Sequence, residues 1–155
     1  MHIPYAELNP NARVWIYQSD RVFNTAEKTD IECQLTDLCN NWNTHGTPLH
    51  CSFKIHDWFI CLFVDECKQG ASGCSIDSSV SVIKAIAKQY NIDFFNRMNI
   101  AFMDGELTKV LPLVQFKKQL TSQTVVYNNL VSTKSEYESN WKVPLPESWL
   151  AKYIP

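Results

Sequence analysis

The run Leu49-His50-Cys51-Ser52-Phe53-Lys54-Ile55 and, after His56-Asp57, the run Trp58-Phe59-Ile60-Cys61-Leu62-Phe63-Val64 carry the strongest structural signal in this chain. The first alternates. Leu49, Cys51, Phe53 and Ile55 share one side, while His50, Ser52, Lys54 and His56 share the other, which is the pattern of a half-solvated strand at a sheet edge. The second is apolar at nearly every position, as expected of a strand covered on both faces, and it is therefore placed centrally.

Working outward from this pair, Arg13 to Gln18 is rich in β-branched and aromatic residues and reads as a first strand. Asn24 and Glu27, three positions apart, form a capping signature. Behind them Ile31, Leu35, Leu38, Cys39 and Trp42 recur at helical spacing, so a helix is predicted over 25–43, ending before Gly46-Thr47-Pro48. On the other side, Ile76, Val80, Ile83 and Tyr90 predict a second helix over 76–90. Residues 99–103 and 106–111 then flank the turn signal Asp104-Gly105 as a hairpin.

The order strand, helix, strand, strand, helix, strand predicts an α+β fold of the ferredoxin-like split βαβ kind, an antiparallel sheet with both helices on one face. An extra hairpin strand and a C-terminal helical and extended tail complete it. The length fits one domain over 1–155, with a core at 12–111 and a tail at 112–155 packing on it. The sheet face away from the helices is apolar whichever way the strands point, carrying either Trp15 and Tyr17 or Val14 and Ile16. Such a face needs a cover. The tail supplies Phe116, Leu120, Val126, Tyr127 and Trp141 for this purpose, and a homodimer contact is the competing explanation.

Fourteen basic and sixteen acidic residues are dispersed along the chain, leaving a net charge of −2 and no basic cluster to neutralise nucleic-acid phosphates. No apolar run has the roughly 18–20 residues of a membrane span, and Met1-His2-Ile3-Pro4 lacks the features of a secretion signal. The expected location is the cytoplasm, with no membrane partner. The six cysteines then read as free thiols, and none is spaced as Cys-x-x-Cys. His45, His50 and His56 match no closed metal pattern and read as solvated, so no metal site and no cofactor is expected.

The segment Val64 to Ser79 most resembles a binding site, since a buried strand there ends in Asp65 and Glu66 and a loop with Gly70 and Gly73 leads into a helix. Ser72, Gly73, Ser75 and Asp77 would present hydroxyls and amides to a small polar ligand or a partner protein, with Arg13, Gln18 and His45 as contributors. The competing structural reading makes Ser75 the helix cap and Asp77 a partner of the helix dipole. A thiol enzyme is the alternative from another class. Cys74 just before a helix is its nucleophile, provided a histidine comes close, while the neighbouring carboxylates favour the protonated thiol. A non-enzymatic binding module is the favoured expectation.

At Ala12-Arg13-Val14-Trp15-Ile16-Tyr17-Gln18, at Trp42 with His45-Gly46, and at Val64-Asp65-Glu66 through Ala71-Ser72-Gly73-Cys74-Ser75-Ile76-Asp77, the chain resembles a small uncharacterised bacterial family whose members often carry the label "ABC transporter ATPase". The resemblance covers most of the chain and implies no site residues. The label itself implies ATP hydrolysis, which needs a phosphate-cradling lysine loop that this sequence lacks.

Overall fold

The computed structural model describes residues 1–155 and is an α+β protein with antiparallel sheets. In chain order its elements are β1 (Arg13–Gln18), α1 (Thr25–Asn41), β2 (Asn43–Thr44), β3 (Thr47–Pro48), β4 (His50–Ile55), β5 (Phe59–Asp65), α2 (Gly73–Tyr90), β6 (Asn99–Asp104), β7 (Leu107–Pro112), α3 (Leu113–Phe116), β8 (Val125–Tyr127), α4 (Lys134–Asn140) and β9 (Lys142–Pro144). No helix is long and apolar enough to cross a membrane.

β5 is the middle of a three-stranded sheet, ordered β1-β5-β4, and Phe59 to Val64 are all buried. Its continuous apolar pattern follows from that position. Ile60 and Leu62 face the helix layer and meet Ile31 and Leu35 of α1 and Ile83 and Ile86 of α2. α1 begins where the sequence signature places it: the Asn24 side chain accepts from the Glu27 amide, and the Glu27 carboxylate accepts from the Asn24 amide.

The first three strands thus follow the split βαβ order, but the fourth does not. β6 pairs with β7 on one side and β8 on the other, in a second sheet ordered β7-β6-β8-β9. The four-stranded ferredoxin-like sheet is therefore not formed, and the reason lies in the connector 91–98. Ile92 and Phe94 are buried with Phe23 beneath the helix layer, and the chain then crosses the edge of β1 to reach another layer. The start of that edge is also taken: the Val14 amide donates to Ser132 O at 3.0 Å and the Lys134 amide to Ala12 O at 2.7 Å.

The second sheet covers the apolar face predicted to need a cover. Val14, Phe59, Cys61 and Phe63 pack against Ala101, Tyr127, Val131 and Trp141 in one cluster. This face is internal, so a homodimer contact has no exposed apolar sheet face to use. The outer side of the second sheet is sealed in turn by Phe116, Leu120, Leu145 and Leu150. β4 also departs from simple alternation, with Cys51 and Ser52 both buried. Residues 1–3 run beside its first half, the Ile3 amide donating to Cys51 O at 2.9 Å and the Cys51 amide to Met1 O at 3.1 Å, so this edge strand is covered at Cys51, while Lys54 stays exposed.

Candidate functional site

The loop after β5 closes on itself. The Asp65 carboxylate accepts from the Cys67 amide at 3.0 Å and the Asn9 amide at 3.3 Å. Burial works against its ionisation, yet these donors and the nearby His50 outweigh it and hold the carboxyl below its usual range. Glu66 accepts from the Ala71 amide at 2.9 Å and stands 3.8 Å from the Arg13 guanidinium, which lies over the Trp15 ring. A side chain at Gly70 would meet the Glu66 carboxylate at 3.2 Å, so glycine lets the loop close this tightly.

α2 begins at Gly73, three residues earlier than its periodicity suggests, and its cap is Ser72 rather than Ser75. The Ser75 amide donates to Ser72 Oγ at 3.2 Å. Ser75 itself is buried: its hydroxyl donates to Ser72 O at 2.8 Å and lies 3.1 Å from Thr44 Oγ1, while Trp42 Nε1–H donates to Ser75 O at 2.7 Å. These bonds tie the helix start to the β2–β3 hairpin. With the start at Gly73, Asp77 falls beyond the first turn, outside the short range over which the helix dipole acts.

Cys74 is exposed, and its thiol makes no hydrogen bond with a histidine. His45 sits in the tight β2–β3 turn with φ of 51°, and His50 lies opposite Asp65 in the β4–β5 register. His56 is at the far end of β4, half-buried, with Nε2 2.6 Å from Tyr137 Oη and its ring beside Trp141. Burial first, then Lys54 and Lys142, push its pKa down, so it is a neutral packed histidine rather than a solvated one. No group of three or more His, Cys, Asp or Glu side chains is placed to hold a metal ion.

Gln18 stands apart from this corner. Arg13 and Gln18 occupy opposite ends of β1, roughly 16 Å apart at about 3.3 Å per residue. Gln18 opens instead into a cleft of about 600 Å³ between β1, the connector 94–99 and residues 127–130, with Trp149 on its rim. Its amide is fixed at both ends: Nε2–H donates to Asn99 O at 3.1 Å, and Oε1 accepts from Asn129 Nδ2 at 2.8 Å. Asn129 is oriented in turn by Trp141 Nε1–H, which donates to its Oδ1 at 2.9 Å. Tyr17 meets Phe95 edge to face.

The rim of this cleft is unusually apolar for a surface. Phe95, Leu130 and Trp149 are 48%, 87% and 50% exposed, three of the few large hydrophobic side chains that the fold leaves open. Sequence reasoning reached only Gln18 here. The signal that was available is the mixed stretch Asp93-Phe94-Phe95-Asn96-Arg97, in which one phenylalanine is buried and its neighbour is not. No protein-family model, no curated protein and no solved structure matches this chain.

Proposed function

We propose that this protein is a cytoplasmic, non-enzymatic binding module whose ligand seat is the cleft beside β1. The supporting observation is the convergence of an exposed apolar rim with two oriented carboxamides on one concavity. Its volume lies within the range of small-ligand sites, and its lining, apolar with few polar groups, is the composition such sites use. Arg97 is its only charged residue, which favours a ligand carrying one negative charge. The Asp65 to Asp77 loop is less suited to the role because Asp65, Glu66 and Ser75 are bonded to backbone groups of the chain and no exposed large apolar side chain accompanies them.

Titration with a neutral, environment-sensitive apolar dye tests the reading. One dye should bind per molecule, and Leu130→Asp should weaken binding about tenfold or more at an unchanged melting temperature, because Leu130 is open in the free protein. Ala substitutions at Ser72 and Asp77 should leave dye binding unchanged. Failure to bind, or insensitivity to Leu130→Asp, removes the cleft as the seat.

A further inference from the structure

We infer that the cleft receives an extended peptide segment, added as a strand to the edge of β1; this rests on the binding reading above and names the ligand class. A sheet edge carries a row of unpaired N–H and C=O groups, which proteins normally cover or blunt with charge, proline or a bulge. The three-stranded sheet has two edges, each closed only at its start: that of β4 at Cys51 by residues 1–3, and that of β1 by Ser132 to Lys134. Only beside β1 does the rest of the edge border a cleft.

The remainder of β1 bonds to no backbone on its outer side, although the connector passes beside it, with Phe95 against the Tyr17 ring and Asn99 O accepting from Gln18 Nε2–H. In an antiparallel ladder successive residues direct their backbone groups to alternate sides. Arg13, Trp15 and Tyr17 face their partners Val64, Leu62 and Ile60 in β5, because the Val14 amide points the other way, to Ser132. Ile16 and Gln18 therefore direct their N–H and C=O groups outward, roughly 7 Å apart at about 3.3 Å per residue. Both line the cleft, and no other strand pairs with them. The stretch Val14 to Gln18 holds no charge and no proline that would blunt this edge.

The surroundings specify the occupant. The connector at Phe95, together with Leu130 and Trp149, lines the cleft with apolar side chains beside the edge. Alternate side chains of an added strand would meet these apolar walls, as in strand addition generally, where backbone bonds give affinity and alternate pockets give selectivity. Arg97 forms no ion pair within the chain, so a carboxylate on the peptide, terminal or side-chain, would complement it.

The test uses an acetylated pentapeptide of alternating valine and threonine with a central phenylalanine and a free terminal carboxylate, added to the full chain and followed by amide NMR. Binding should slow hydrogen exchange at the Ile16 and Gln18 amides at least tenfold. Because only one side of a strand pairs with an edge, N-methylating one alternate set of peptide amides should weaken binding about tenfold or more, and methylating the other set should leave it unchanged. Arg97→Gln and C-terminal amidation should each weaken binding, and together no more than either alone. Equal responses to the two methylation patterns, or unprotected Ile16 and Gln18 amides, overturn strand addition. If the neutral dye still binds in that event, the cleft stands as a seat for other ligands; if neither dye nor peptide binds, both readings fall.

Discussion

The Glu27 carboxylate is almost enclosed and receives three donors: the Arg21 guanidinium at 2.8 and 2.5 Å and the Asn24 amide at 2.9 Å. The Arg21 hydrogen bonds first, then the Asn24 amide, overcome burial and hold its pKa at about 2. A folded-state pKa below the unfolded value means that the unfolded chain takes up the proton first. The stability Glu27 contributes is therefore complete above the ordinary glutamate pKa of about 4.3 and is lost as pH falls from there towards 2. Urea unfolding should show Glu27→Gln less stable than wild type by about 1–3 kcal/mol at pH 7, with the difference shrinking between pH 4.5 and 2.5. A difference that stays constant over that range would mean that the ionised group contributes nothing specific.

At the scale of one element, the start of α2 separates structural from functional roles in the loop that drew most attention in the sequence. Ser72→Ala removes the cap and should lower stability by about 1 kcal/mol, whereas Asp77→Ala, beyond the first turn and exposed, should change it by less than about 0.5 kcal/mol. Thermal melts of the two variants check the order. The elements legible in the sequence were those whose signals are local: the capping pair Asn24 and Glu27, the apolar run of β5, and the turn at Asp104-Gly105, where Gly105 has a φ of +63°. What local signals do not carry is destination. β6 was read correctly as a hairpin strand, but its sheet was decided by where Ile92 and Phe94 bury, a tertiary effect with no periodicity of its own. β8 and β9, three residues each, are too short to show a pattern. The cleft was hidden for the same reason: Phe95, Leu130 and Trp149 have the composition of core residues, and only the fold leaves them open.

At the scale of the whole molecule, the helices, the first sheet, the second sheet and its outer cover are layers that share clusters rather than separate cores. Phe59 sits where the two sheets meet, with its ring 4.9 Å from that of Tyr127 and 4.8 Å from that of Trp141. The buried Lys134 ammonium joins the ends of the chain, donating to Tyr5 O at 3.1 Å and Leu8 O at 3.0 Å. A core shared in this way leaves neither sheet a complete apolar interior of its own, so the two should unfold together. Far-UV dichroism, which follows helices and sheets, and tryptophan fluorescence, which includes Trp141 between the sheets, should give one coincident transition in urea. Phe59→Ala empties the junction and should cost about 3–5 kcal/mol, a large share of the roughly 5–15 kcal/mol typical of a folded protein, while the two probes stay superimposed. If fluorescence moved to lower urea in this variant while dichroism did not, the second sheet would be a separable cover. The walls that the second sheet lends the cleft at Ile100, Ala101 and Tyr127 would then loosen with it, and the cleft would no longer be a fixed feature of the native state.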